Sequence, residues 1–230
     1  MTHNASVDAG GVLIRPREPD DLDGLVDALA LVADNDGYPS HWPEQPASWL
    51  RTSDAYGAWV ADRNGDLLGH VVLRRPGGQM PVTLWCAASG NEPHTCAMVS
   101  RLFVVPYARG AGVGRALLDA ACAAAADLNL QPVLDVADTN QAAIRLYHRL
   151  GWQHLGSYQQ AFQDGGPPEL LHCFAAPSPS YRQGTRLQLP ATVTVTFPAI
   201  GGSPTSWVKR RARVARETPV LAASFATVHG

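Results

Sequence analysis

The sequence predicts an α/β layered domain in which a mixed, mostly antiparallel central sheet is flanked by helices. Short apolar runs rich in β-branched residues predict strands, and amphipathic runs with helical spacing stand between them. Asn64-Gly65 lies between two strand runs and is a strong hairpin signal. Neighbouring strands joined by turns, followed by strands separated by helices, favour a mixed sheet over a doubly wound one.

The predicted elements follow from this pattern. Strands are predicted at residues 12–15, 58–62, 67–73, 82–86, 97–105, 133–136, 152–158 and 170–174. Helices are predicted after the capping residues Asp20 or Asp21, behind Gly114, and from the Asp138 to Asn140 cap to Gly151. Residues 34–47 contain three prolines and predict an irregular loop, after which Ser48 allows a short helix to begin.

Composition excludes several classes of protein. The chain has 230 residues, 46% of them hydrophobic and 17% charged, which suits one packed domain with an appendage. No apolar run is long enough for a membrane helix, and residues 1–11 show no export signal, so the expected location is the cytoplasm. The four cysteines fit no redox or zinc spacing and are expected to be buried or half-buried thiols. The histidines have no metal-ligand spacing, so no metal is predicted.

Charge divides the chain near residue 177. Residues 1–176 hold 11 Lys and Arg against 19 Asp and Glu, a net −8, and are predicted to form the domain. Residues 177–230 hold seven basic residues and one acidic residue, a net +6, and are predicted to be a basic extension of low order. Within that extension, residues 187–197 suggest an isolated strand or hairpin. Its basic residues lack interleaved aromatics, so a solvated tail is favoured over a nucleic-acid site.

A glycine-rich turn is the strongest functional signal. A strand ending at Val105 leads through Gly110, Gly112 and Gly114 into a helix. Glycine lets the backbone approach an anion closely, and a helix N-terminus offers unpaired N–H groups, so a diphosphate fits there. Arg115 after Gly114 departs from the P-loop pattern. A dinucleotide fold and a purely structural turn remain the alternatives at this stage.

Two motifs carry a family resemblance. Arg109-x-x-Gly112-x-Gly114 resembles the Arg/Gln-x-x-Gly-x-Gly/Ala signature of the GNAT superfamily of acetyltransferases. About 26 residues further on, Asn140-x-x-Ala143-x-x-x-Tyr147-x-x-x-Gly151-Trp152 is similar to the family's second element. The resemblance covers roughly residues 12–176 and implies a GNAT-like sheet with acetyl-CoA as cosubstrate.

The resemblance also implies roles for particular residues. Two central strands would part, so that one strand's main chain can pair with the pantetheine arm and supply an oxyanion donor. Asn140 would bond the same arm, and Arg115 would either reach a phosphate or remain a solvated helix charge. The implied cofactor-binding residues are Leu102, Phe103, Val104, Val105, Arg109, Gly110, Ala111, Gly112, Val113, Gly114, Arg115, Asn140 and Tyr147.

The predicted chemistry needs a base and benefits from an acid. A protonated amine cannot attack a thioester, so its proton must leave. Asp135, a carboxylate inside an apolar strand, is the candidate base, directly or through a water. The alternative is a structural aspartate that pairs with a neighbouring strand or with an arginine. Ribosomal-protein N-acetyltransferases resemble this segment but have the longer Glu there. Tyr147 is the candidate acid by resemblance, or otherwise a core aromatic, and Ser100 is a weaker relay candidate.

The predicted function is N-acetyl transfer from acetyl-CoA to a primary amine by direct attack in a ternary complex. The alternative is a non-catalytic acyl-CoA-binding regulatory module. The acceptor is expected to be a small-molecule or peptide amine, and the family also raises the expectation of a homodimer. An acidic domain favours the approach of a cationic amine, although ordinary loop solvation explains its charges as well. Candidate walls of the acceptor site are Asn35, Asp36, Tyr38, His41, Trp42 and Tyr158.

Overall fold

Nine strands of the chain form one sheet in this computed structural model, which describes residues 11–161 and 167–177 together with the backbone of 6–7 and 193–196. The order in the sheet is β1-β2-β3-β4-β5-β6-β8-β7-β9. The strands are β1 Ser6–Val7, β2 Leu13–Pro16, β3 Ala55–Arg63, β4 Asp66–Arg74, β5 Cys96–Val104, β6 Gln131–Ala137, β7 Gln153–Ala161, β8 Glu169–Ala175 and β9 Val193–Thr196.

Most neighbouring strands are antiparallel, as predicted. Strands β1 to β5 form an antiparallel meander, and β6, β8 and β7 pair antiparallel in that order. The β5–β6 and β7–β9 pairs are parallel. The hairpin between β3 and β4 turns at Asn64 and Gly65, whose φ angles of 55° and 89° are those of a two-residue primed turn.

Helices cover both faces of the sheet. They are α1 Leu22–Asp36, α2 Pro46–Arg51, α3 Met80–Ser89, α4 Val113–Asp127 and α5 Gln141–Arg149. Side chains along β5 alternate between two cores: Ala97 and Val99 join the larger core with α1 and α4, whereas Cys96 and Met98 join the smaller core with α3. This alternation is the period of two that a strand imposes. It confirms the predicted class of a mixed sheet flanked by helices.

One predicted strand is wrong. Residues 82–86 lie in α3. The run is apolar on all sides because α3 is largely buried, so it lacks the amphipathic period that marks a surface helix. Pro81 in the first turn and the left-handed Gly90 after the last turn, with φ of 72°, are the signals that favoured a helix.

Predictions about the loop at 34–47, the tail and the cysteines can also be compared with the structure. The predicted loop at 34–47 lies mainly between α1 and α2, and the short helix is α2. Strand β9 falls within the predicted 187–197 segment; the other predictions for the tail lie outside the described residues. The four cysteines are free, two buried and two half-buried. No helix in the described part of the chain is long and apolar enough to cross a membrane.

Candidate active site

The two central strands part in the middle of the sheet. Strands β5 and β6 share only three Cα pairs, the last of them Met98 with Val133. Beyond that point β6 continues to pair with β8, and β5 continues to pair with β4, so a cleft opens between β5 and β6. The main chain of β5 after Met98 therefore presents an edge on which an extended ligand can add.

Hydrogen bonding along β5 decides which residues face the cleft. The Val105 N–H donates to Leu68 O at 2.9 Å, so Val105 is tied to β4, and the alternation of an antiparallel ladder turns Phe103 the same way. The main-chain N–H groups of Leu102 and Val104 then face the cleft, whereas the Val104 carbonyl accepts from Arg109 Nε. The family resemblance implied pairing of pantetheine with the main chain of Phe103 to Val105, so this geometry favours Leu102 and Val104 instead. Phe103 contributes a buried ring instead.

A β-bulge interrupts β5 at the mouth of the cleft. His70 lies opposite Phe103 and Val72 lies opposite Ser100, so two β5 residues face one residue of β4. Arg101, inside the bulge, has a φ of 53°. Bulges are frequent beside active sites because they re-aim side chains and carbonyls. The hydroxyl of neighbouring Ser100, the weaker relay candidate, is buried without a hydrogen-bond partner.

His70 of β4 stabilises this bulge through a hydrogen bond to its backbone. The ring is fully buried, with Nε2 3.2 Å from Arg17 Nη1 and Nδ1 3.2 Å from the Arg101 carbonyl oxygen. Because a guanidinium can only donate, Nε2 accepts and Nδ1–H donates to the carbonyl. Burial, helped by the charge of Arg17, lowers the pKa of His70 to about 3. The neutral ring is thus part of the scaffold of the site.

Stability should therefore depend on pH through His70. The pKa of His70 is about 3 in the folded protein and 6.5 in the unfolded chain, so acid protonates the unfolded chain first. The contribution of His70 to the free energy of unfolding is therefore complete above pH 6.5 and is lost as pH falls towards 3. Between pH 7 and pH 5 the free energy of unfolding should fall by about 2 kcal/mol on this account. Urea unfolding of wild type and His70→Gln at both pH values measures the difference; equal losses in the two proteins would exclude His70 as the cause.

The glycine turn is built as the phosphate-binding prediction requires. Gly110 and Gly112 have φ angles of 78° and 86°, a backbone conformation that residues other than glycine rarely adopt. Gly112 precedes the first turn of α4 and accepts from the Ala116 N–H at 3.0 Å. The N–H groups of the first helical turn, starting at Val113, have no acceptor within the helix. Residues 110 to 112 are exposed at the end of β5, where an anion can reach them.

Arg109 and Arg115 differ in their surroundings. Arg109 forms a two-pronged ion pair with Asp36 at 3.0 and 2.5 Å, and its Nε donates to Val104 O at 3.0 Å. It thereby joins the end of α1 to the end of β5 and holds the turn in place. Asp36, predicted as a wall residue, serves in this clasp, and Arg109 lowers its pKa. Arg115 is exposed and lies 3.3 Å from Asp119, one turn along the helix.

The second motif places Asn140 and Tyr147 on α5. Asn140 caps the helix, its Oδ1 accepting from the Ala143 N–H at 3.1 Å, and its side chain remains exposed. Tyr147 is buried, with its ring 5.5 Å from both Trp152 and Phe174. Burial, with smaller contributions from Tyr38 and Asp135, raises the pKa of Tyr147. Tyr147 is therefore both a core aromatic and a protonated phenol near Asp135.

Asp135 has a specific partner. Its Oδ2 accepts from the Tyr158 hydroxyl at 2.7 Å, across the intervening strand β8. Burial raises the pKa of Asp135, although the Tyr158 hydrogen bond and Arg74 act in the opposite direction. A carboxylate with a raised pKa is a better proton acceptor than an ordinary aspartate. The structural alternative, pairing with a neighbouring group, is also realised, because Tyr158 holds the carboxylate in place.

The loop between α1 and α2 lies beside this site. The Tyr38 ring packs edge-on against the Trp49 ring of α2, with the two ring centroids 6.4 Å apart. Ser40 Oγ donates to the Glu169 carboxylate at the start of β8 at 2.9 Å. Arg101 and Asp135 both influence the pKa of Tyr38, which burial raises. The loop thus connects the α1 side of the molecule to β8. Of the predicted wall residues, Tyr38 and Tyr158 neighbour Asp135, whereas Asn35 is exposed and bonds to Asp36.

A separate groove of about 400 Å³ lies between α1 and the β3–β4 turn. Asp20, Asp21, Asp27, Asp66 and Tyr107 are among its lining residues, and none of the predicted site residues belongs to the lining. Asp135 and the glycines of the turn are not among its lining residues. Within the described residues, no group of three or more His, Cys, Asp or Glu is arranged to hold a metal ion.

Sequence reasoning missed three contributors to the site. Arg101, His70 and Trp49 carry no motif, and their roles arise from the bulge and from contacts between distant segments. The partnership of Tyr158 with Asp135 was also missed, although both residues were candidates. The only available signals were a charged residue inside the apolar β5 run and a histidine inside the apolar β4 run.

Comparison with known proteins defines the class. The model of the acetyltransferase (GNAT) family matches residues 26–152. The chain belongs to this family, which confirms the resemblance that the two motifs predicted.

Individual relatives support the family and the fold. A mycothiol acetyltransferase from Acidothermus cellulolyticus is 32% identical over 126 residues, which are 52% of this chain and 35% of that protein. The chain therefore matches about a third of the relative's length.

Two solved structures show the same fold. Ribosomal-protein-alanine N-acetyltransferase from Brucella melitensis has a TM-score of 0.54 at 23% identity, covering 71% of this chain and 98% of its own. The acetyltransferase yncA from Salmonella typhimurium, solved with acetyl-CoA, has a TM-score of 0.53 at 19% identity, covering 72% and 93%.

Proposed function

We propose that this protein transfers the acetyl group of acetyl-CoA to a primary amine by direct attack in a ternary complex. The observation that carries the proposal is the parting of β5 and β6 after Met98, which leaves an open strand edge leading into the glycine turn. The diphosphate would bind the N–H groups of residues 110–115, and the pantetheine arm would pair with Leu102 and Val104. Asn140, exposed at the start of α5, would bond the same arm.

Asp135 would remove the proton of the acceptor amine, directly or through one water. Its position on β6 is opposite the open edge of β5, and its raised pKa suits a general base. The Leu102 or Val104 N–H would stabilise the negative charge that develops on the thioester oxygen. The tetrahedral intermediate then collapses, the C–S bond breaks, and coenzyme A leaves as a thiolate. The attached nitrogen loses its second proton as the amide forms, and the thiolate takes up one proton in exchange.

Tyr147 would assist that departure as a hydrogen-bond donor. Its pKa is raised above that of an ordinary phenol, so full proton transfer to a thiolate of pKa near 8.5 is uphill. Tyr147→Phe should therefore lower kcat by about tenfold to a hundredfold, at or below the low end of general-acid effects, with a smaller change in KM. The ring is retained, so the melting temperature should hardly change. Unchanged kcat, or a loss of stability, would leave Tyr147 a core aromatic.

An amine screen tests the proposed function. Acetyl-CoA is incubated with pooled primary amines, amino acids, peptides, mycothiol and its deacetylated form, and acetylated products are identified by mass spectrometry. Mycothiol is included because the relative from Acidothermus cellulolyticus carries its name. We expect an amide product and intersecting initial-rate lines for the two substrates. Binding of acetyl-CoA without transfer to any acceptor would favour a regulatory module, and parallel lines would indicate a covalent acetyl-enzyme.

We also propose that residues 1–176 form the catalytic domain and that 177–230 is an extension. Removing residues 178–230 deletes β9, which lies at the edge of the sheet beside β7, far in the strand order from β5. Affinity for acetyl-CoA should stay within a few fold of the full chain, as measured by calorimetry. A truncated protein that fails to fold, or that loses acetyl-CoA binding, would place the boundary elsewhere.

A further inference from the structure

We propose that Arg101 binds a carboxylate of the acetyl acceptor, so that the acceptor is an amino-acid-like molecule with an acidic group close to its amine. This inference rests on the proposed function and specifies its substrate class. Its basis is a cationic side chain on the bulge of β5, at the mouth of the cleft, with two buried nitrogens that have no hydrogen-bond partner.

The bulge of β5 fixes where Arg101 lies. Its left-handed backbone, with φ of 53°, is an uncommon conformation for a residue other than glycine and is held by the His70 hydrogen bond to its carbonyl. The guanidinium stacks on the Trp49 ring, 4.7 Å from the centroid. A strained backbone that aims a charged side chain is typical of functional sites.

Two of the three guanidinium nitrogens lack acceptors. Its Nε and Nη1 are buried and have no hydrogen-bond partner. Both neighbouring cations have acceptors: Arg74 donates to Asp54 at 3.1 Å, although its Nε is also without a partner. Arg17 donates to the carbonyl of Arg51 at 3.2 Å and contacts His70. Burial lowers the pKa of Arg101 to about 10, which leaves it charged at neutral pH. A buried cation without acceptors is costly, and a ligand carboxylate would remove that cost.

The chemistry of a guanidinium selects the partner. Its planar fork matches a carboxylate with two parallel hydrogen bonds, and the stacked indole keeps the fork oriented. The α1–α2 loop connects Arg101 to the strands around Asp135: Tyr38 packs against Trp49, on which Arg101 stacks, and Ser40 donates to Glu169 of β8. Strand β8 pairs with β6, which carries Asp135. An α-amino acid placed there presents its carboxylate to Arg101 and its amine to Asp135. The nearby cation also favours the neutral, reactive form of the amine.

Matched acceptors test the inference. α-Amino acids, their α-amides and the corresponding amines lacking the carboxyl group are compared as acceptors, together with aminoalkyl phosphonates. For wild type we expect kcat/KM to be about tenfold to a hundredfold higher for the amino acid than for its amide, the range expected for hydrogen bonds to a charged group. Arg101→Gln should abolish that preference, mainly through KM, and Arg101→Lys should restore part of it.

Controls separate the possible failures. Arg75 is an exposed arginine stacked on Tyr56 at 4.9 Å, so Arg75→Gln removes a similar contact and should keep the preference. Calorimetry with acetyl-CoA and thermal melting confirm that Arg101→Gln is folded and binds cosubstrate. If it does not fold, the comparison of acids with amides on wild type decides alone. Equal rates for acids and amides, a preference for phosphonates, or a preference that survives Arg101→Gln would overturn the inference while leaving amine acetylation intact. Absence of transfer to every amine would refute the proposed function and this inference together.

Discussion

Asp135→Asn is expected to lower kcat by about a hundredfold to ten-thousandfold, the usual range for loss of a general base. The amide cannot take the proton from the acceptor amine, yet it has nearly the same shape, and its oxygen can still accept from Tyr158. Acetyl-CoA affinity and the melting temperature should therefore remain close to wild type. Single-turnover acetylation, followed by mass spectrometry, measures the chemical step without interference from product release.

The pH profile gives this prediction a second readout. The base must be deprotonated, so kcat/KM should rise with pH through the pKa of Asp135, which burial raises. Tyr158→Phe removes a hydrogen bond that lowers the pKa of Asp135, so the acid limb of the kcat/KM profile should move to higher pH. Asp135→Glu keeps a carboxylate and should therefore retain more activity than Asp135→Asn. Wild-type rates in Asp135→Asn at all pH values would leave Asp135 with a purely structural role.

Gly112→Val should weaken acetyl-CoA binding by about tenfold or more. Gly112 has a φ of 86°, which is strained for a β-branched residue, and a side chain there would keep the diphosphate from the backbone N–H groups. Calorimetric titration of acetyl-CoA into wild type and the variant measures the effect directly.

Gly65→Val is the matched control. Gly65 has a φ of 89° in the β3–β4 hairpin, and an added Cβ would meet no atom within 4 Å, so the backbone strain is similar but no cofactor is expected there. Its melting temperature should fall as in Gly112→Val, with affinity preserved. Equal affinities in wild type and a folded Gly112→Val would remove the diphosphate from this turn.

The sequence was most informative where a local pattern has a physical cause. The Asn64-Gly65 hairpin and the capped helix at Asn140 follow from local backbone requirements, and both are found in the structure. The glycines of the turn likewise adopt the left-handed angles that made them recognisable. The parting of the central strands was implied by the family resemblance and is visible in the short pairing of β5 with β6.

Features that depend on distant contacts were not predictable. Helix α3 has the apolar composition of a buried strand because it is itself largely buried, and only its terminal residues distinguish the two. The bulge at Arg101 depends on the register between β4 and β5, which no local pattern encodes. Asp135 and Tyr158 are separated by an entire helix in sequence and meet only when β8 inserts between their strands.

Amide hydrogen exchange with and without acetyl-CoA tests the cosubstrate site most directly. The open edge of β5 and the first turn of α4 have N–H groups that the protein does not pair, and acetyl-CoA should protect them on binding. We predict slower exchange at Leu102, Val104 and residues 110–115, with little change along the β2–β3 pair. Binding that protects the groove between α1 and the β3–β4 turn instead, and leaves β5 and the glycine turn unchanged, would contradict the account.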